Sequence, residues 1–227
     1  MLLSAKVLSG YRLDARDGEL GRVESFLFDD ASWSVRYLLA RTGRWLGREV
    51  LLHPEVLGAP DSEGPSIAVD LTREQIRHAP ELDTDAPISR QYEKALAEYF
   101  DWPAYWTLWA TPEQAPPPAE KPAGPPDPRD AEPRGDPNLR STAAVIGYDI
   151  HARDGAIGHV EDFLIDAEVW SVRNVVIDTR NWLPSPKVLV APTRVLKIDW
   201  NERVVVVELT REQVRQSPEV EELARRD

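Results

Sequence analysis

Residues 10–36 read GYRLDARDGELGRVESFLFDDASWSVR, and residues 147–173 read GYDIHARDGAIGHVEDFLIDAEVWSVR. A constant offset lays Gly10-Tyr11 on Gly147-Tyr148, Arg16-Asp17-Gly18 on Arg153-Asp154-Gly155, and Gly21 on Gly158. The same offset lays Trp33-Ser34-Val35-Arg36 on Trp170-Ser171-Val172-Arg173. Self-similarity over so long a period marks a repeated folding unit, so the chain holds two copies of one small domain. Its 227 residues divide into two units of roughly 80 residues and a connector.

Working outward, residues 6–15 place Val7, Tyr11 and Leu13 in a first strand that ends at Asp17-Gly18. An Asp-Gly pair between apolar runs predicts a tight hairpin, because Gly takes positive φ at low steric cost. Val23-Glu24-Ser25-Phe26-Leu27-Phe28 follows as a strand apolar on both faces at its centre. Trp33 to Leu39 and Trp170 to Ile177 read as the third strand of each copy. Glu24 with Arg36, and Glu161 with Arg173, are expected as cross-strand ion pairs that mark register. Glu49 to Leu52, ended by His53-Pro54, matches Lys187 to Val190, ended by Ala191-Pro192. Ile67 to Leu71 alternates as a half-buried strand, whereas Val204 to Val207 is β-branched throughout and expected to be buried on both faces. Thr72-Arg73-Glu74-Gln75 and Thr210-Arg211-Glu212-Gln213 carry the capping-box pattern of a helix start, cut short by Pro80 and Pro218.

The expected fold is therefore mostly β: two small barrels of about six strands each, closed or nearly closed, with short terminal helices. The first spans residues 1–80 and the second 139–227. Between them, residues 81–111 hold a helix reaching about Phe100, with Tyr92, Leu96 and Tyr99 at helical spacing, and an aromatic cluster of Trp102, Tyr105, Trp106 and Trp109. Such a cluster reads as a plug against a domain surface. Residues 112–138 are rich in Pro, Asp and Glu and read as a flexible tether.

Composition narrows the function. Cysteine is absent, which removes disulfide scaffolds, thiolate metal sites and cysteine nucleophiles. The net charge is −12, half of it in residues 81–143, and neither repeat has the clustered Lys/Arg of a nucleic-acid binder, so DNA is not an expected partner. With no apolar run of about 20 residues and no signal-peptide pattern, a soluble cytoplasmic protein is expected.

The Asp-Gly turn followed by Gly-x-Val-Glu-x-Phe-Leu-x-Asp, the Trp-Ser-Val-Arg strand, the strand before Pro54 and Pro192, and the closing Leu-Thr-Arg-Glu-Gln together resemble PRC-barrel domains. The resemblance covers both repeats, and SRQYEKALAEYFDWPAYW (89–106) is similar to the tail that follows the first barrel in tandem members. Where that pattern carries a Trp-Pro-Gly-Lys-Lys-like turn, this chain has Trp182-Leu183-Pro184-Ser185-Pro186-Lys187. The family includes the cytoplasmic domain of the photosynthetic reaction centre H subunit and the C-terminal domain of a ribosome-maturation factor. Similarity to it implies a six-stranded barrel used for protein docking or assembly, with no shared catalytic residues.

The expected function is a non-catalytic interaction or assembly scaffold with an unidentified protein partner and an intramolecular pairing of the two barrels. Alternatives are an RNA-processing or ribosome-assembly module, and a peripheral component of a photosynthetic or other membrane complex. The packing or docking set is Phe26, Trp33 and Trp45 with Phe163, Trp170 and Trp182. No catalytic, cofactor-binding or metal-binding residue is assigned. Of the four histidines, His159 lies in a duplicated strand where the first copy has Arg22, and alternation sets it apart from Asp162 and Asp166, the carboxylates that would complete a zinc site.

Overall fold

A computed structural model describes residues 1–43, 46–80, 82, 90–102, 138–179 and 187–220. Its strands are β1 (Leu2–Ser4), β2 (Arg12–Ala15), β3 (Gly18–Asp29), β4 (Val35–Thr42), β5 (Glu49–Leu52), β6 (Leu57–Asp61) and β7 (Ser66–Val69), followed in the second repeat by β8 (Leu139–Ser141), β9 (Asp149–Ala152), β10 (Gly155–Asp166), β11 (Ser171–Asp178), β12 (Val188–Val190), β13 (Val195–Asp199) and β14 (Val204–Val207). They form two seven-stranded sheets with the same order, β5-β4-β3-β2-β7-β6 and β12-β11-β10-β9-β14-β13.

The seventh strand of each sheet comes from the other repeat. β1 pairs antiparallel with β10, setting Leu2 opposite Asp166 and Ser4 opposite Leu164. β8 pairs with β3 in the equivalent register, Leu139 opposite Asp29 and Ser141 opposite Leu27. The two copies are thus interlocked by an exchange of their leading strands.

The sheets are open, which corrects the expectation of closed barrels. The ordered paths end at β5 and β6, and at β12 and β13, with no register joining the ends among the described residues. The end strands are poorly built for closure: β5 is four residues long, and β6 has a register shift at Pro60, which cannot donate to a ladder.

Local chemistry explains where the strands start. Val7 is 55% exposed and sits in a helical turn, Ala5–Leu8, rather than in a first strand. Ser4 caps that turn by accepting from the Val7 N–H at 3.1 Å, which bends the chain between β1 and β2. Trp33 and Trp170 precede their strands, held at φ 61° and 47°. Gly21 and Gly158 are required by close approach: a Cβ would lie 2.2 Å from the Arg41 carbonyl oxygen and 2.0 Å from that of Asp178. In β14 only Val205 and Val207 are buried, so that strand alternates instead of burying both faces.

Both capping boxes form, Thr72 with Gln75 and Thr210 with Gln213. The hairpin aspartates take a further role, because Asp17 accepts from the Arg73 N–H at 2.8 Å and Asp154 from the Arg211 N–H at 2.7 Å. Each Asp-Gly turn therefore holds the start of the helix that closes its own repeat.

The main core runs through both sheets and contains Phe26, Phe28, Phe163 and Trp170. A second cluster lies on the outer face of the first sheet, where the helix Arg90–Phe100 sets Leu96 against Leu27, Tyr37 and Leu51. No helix of the described residues is long and apolar enough to cross a membrane.

Candidate functional site: the seam between the repeats

The seam is built on backbone before side chains. Val35 N–H donates to the Trp170 carbonyl and Val172 N–H to the Trp33 carbonyl, each at 2.8 Å, and Ser34 and Ser171 face each other as an antiparallel bridge. These reciprocal bonds need both tryptophans in the left-handed region, a conformation that bulky residues rarely adopt. Their rings then cover the long strands: Trp170 stacks on Phe26 with centroids 5.9 Å apart, Trp33 on Phe28 at 5.4 Å, and Phe28 meets Phe163 at 5.3 Å. Trp170 is buried and Trp33 partly so.

Four residues of the expected packing set therefore meet at the seam, Phe26, Trp33, Phe163 and Trp170. Trp45 and Trp182 lie outside the described residues, as do Tyr105, Trp106, Trp109 and residues 112–137 of the tether.

The polar ties differ between the two halves. In the first, Thr142 Oγ1 accepts from the Phe26 N–H at 3.2 Å beside Ser25 and Ser141. In the second, Ala5 stands where Thr142 does and cannot accept; Asp162, in the place of Ser25, accepts instead from the Phe163 N–H at 2.7 Å. Asp162 also accepts from Ser4 Oγ and from the Lys6 N–H at 3.2 Å, so one nearly buried carboxylate ties down the whole leading arm.

Neighbouring Glu161 accepts from Lys6 Nζ at 2.9 Å and Lys187 Nζ at 2.8 Å. The bond from Lys187, helped by Lys6 and opposed by burial, holds its carboxyl below the usual range. His159, Glu161 and Asp178 bring ligand atoms within 4.8 Å of one another, because His159 faces Asp178 across the β10–β11 ladder. This is not the His159 with Asp162 or Asp166 grouping considered from sequence. Two lysine ammonium groups on Glu161 oppose a cation there. The first repeat has Arg22, Glu24 and Arg41 at the matching positions, so of the three only Asp178 reverses the charge of its counterpart.

The expected ion pairs are replaced by others. Glu24 pairs with Arg41 at 3.0 Å and Arg173 with Asp166 at 3.1 Å. The cause is register: Ser25 faces Leu39 and Leu27 faces Tyr37, which carries Arg36 to the far end of β3 from Glu24. Arg36 is buried with Glu93 of the helix Arg90–Phe100, and Asp29 lies 3.7 Å from it. Sequence reading missed Glu93 as a core residue; its signal was position alone, one turn before Leu96 on the same helix face.

The helix also carries Tyr99, whose hydroxyl donates to the Gln75 carbonyl at 2.9 Å. Beyond it Trp102 stacks on Phe100 with centroids 4.3 Å apart and lies 5.5 Å from the His53 ring. Burial in this aromatic pocket pushes the His53 imidazole below its ordinary pKa. Among known proteins, no protein-family model and no curated protein matches this chain.

Proposed function

We propose that this chain is a non-catalytic interaction or assembly scaffold of the tandem PRC-barrel kind, in which two copies of one β unit act as a single rigid body. The observation that carries this reading is the reciprocal exchange of β1 and β8 across the seam. Shared strands and a shared aromatic core fix one repeat on the other, which suits a platform that holds partners at a set spacing.

The two surface grooves are lined by paired charges. The groove beside Asp30 and Arg140 has those two paired at 2.8 Å, and the groove along Gly21 and Thr42 is lined by Arg22, Glu24 and Arg41, each already bonded.

Affinity isolation of the full chain from its native cells, with and without nuclease and across a salt series, tests the proposal. Protein partners should persist after nuclease and weaken little with salt. Partners lost with nuclease, with a steep fall of binding as salt rises, would overturn it in favour of RNA recognition.

A further inference from the structure

The two repeats treat their outer edge strands differently. β6 reads Leu57-Gly58-Ala59-Pro60-Asp61, and its edge is blunted by Pro60, which lacks a donor, and by the absence of large side chains at 58 and 59. The matching strand β13 reads Val195-Leu196-Lys197-Ile198-Asp199 and has no proline. It ends the sheet order, so no second strand lies on its outer edge among the described residues. Leu196 is 62% exposed and Trp200, just past the strand, 61%. A groove of about 340 Å³ runs beside it, lined by the four consecutive residues Val195 to Ile198 and, opposite, by Asp30, Ala31 and Arg140. β13 shifts register between Val195 and Lys197, a bulge that turns adjacent residues to one side and accounts for the consecutive lining.

The segment has a self-complementary pattern of chemical type: Leu196 apolar, Lys197 basic, Ile198 apolar, Asp199 acidic, Trp200 apolar. Laid antiparallel on a copy of itself about Ile198, the segment sets Lys197 opposite Asp199 twice, flanked by Leu196 beside the bulge and Trp200 in the turn. We infer that the outer edge of β13 is a self-association surface, on which a second copy of this chain adds its own β13 antiparallel and centred on Ile198. Within one chain Lys197 Nζ reaches Asp199 at 2.6 Å, so both groups are already directed along the strand and turn from an internal pair to a crossed one. A lysine on an open edge discourages foreign strands; here an acid at the opposed position makes the edge accept its own kind. The pairing is isologous, so it closes at a dimer instead of growing into a fibre.

The test is the mass of the full chain in solution, by sedimentation equilibrium over a wide concentration range at low salt. A concentration-dependent monomer–dimer equilibrium is expected. Lys197→Asp, which opposes two acids twice, and Asp199→Lys, which opposes two lysines twice, should each shift dissociation to at least tenfold higher concentration. An equimolar mixture of the two variants should dimerise again, because every crossed pair is then complementary. Asp199 also accepts from the backbone N–H groups of Asn201 and Glu202. If circular dichroism shows that Asp199→Lys loses the hairpin, Leu196→Lys replaces it as the second dimer-breaking variant. A chain monomeric at every concentration, or a dimer unaffected by Lys197→Asp, would overturn the inference.

Discussion

Trp33 and Trp170 stand in reciprocal relation: each adopts the left-handed conformation, and each gives its carbonyl to the N–H two positions past the other tryptophan, at 2.8 Å. The side chains are not equivalent, for Trp170 is 6% exposed and Trp33 only partly buried. Trp170→Ala should therefore destabilise the protein by about 3–5 kcal/mol, the usual range for a large aromatic removed from a core. Trp33→Ala should cost about 1–2 kcal/mol. Urea unfolding followed by circular dichroism separates the two.

Asp162→Ala removes the acceptor shared by Ser4, Lys6 and Phe163. A buried donor left unpaired costs about 1–3 kcal/mol, so the leading arm should loosen and trypsin should cut after Lys6 much faster. Asp162→Ser combined with Ala5→Thr rebuilds the Ser25 and Thr142 arrangement of the first repeat and should restore protection.

These seam residues show how far the sequence was legible. The duplication, the Asp-Gly turns and the capping boxes could be read, because each depends on neighbours in the chain. The exchange of strands could not: Leu2–Ser4 and Leu139–Ser141 are three residues each, and nothing local says which β3-type strand they join. Open sheets were hidden for the same reason, since closure depends on how β5 and β6 lie in space. Arg36 reads as an exposed strand residue until the helix Arg90–Phe100 brings Glu93 to it.

Glu93→Ala should destabilise the chain by about 3 kcal/mol, near the lower end for breaking a buried ion pair, because Asp29 remains 3.7 Å from Arg36. Replacing both partners, Arg36→Met with Glu93→Leu, should recover most of that loss. Hydrogen exchange across residues 92–100 reads the detachment of the helix directly.

Acid should release the arm held at Glu161. Its folded pKa lies below the ordinary value, chiefly through Lys187, so the stabilisation is complete above the unfolded value of about 4.3 and is lost as pH falls through the folded one. Lower protection against hydrogen exchange at residues 4–8, relative to the intrinsic rate at the same pH, is expected below about pH 4. His53 has its pKa depressed by burial, so its stabilisation is present above about 6.5 and falls away below it. The contact of Trp102 with His53 should weaken over that range, as followed by NMR of the imidazole.

The interlock itself is open to covalent trapping, since the chain has no cysteine of its own. Leu2 is paired with Asp166 of the other repeat, whereas its counterpart Leu139 is paired with Asp29. Under mild oxidation, the full chain carrying Leu2→Cys and Asp166→Cys should form an intramolecular disulfide rapidly and in high yield, and the chain carrying Leu2→Cys and Asp29→Cys should not. Rapid closure of the second pair and failure of the first would mean that each repeat keeps its own leading strand, and would contradict the account.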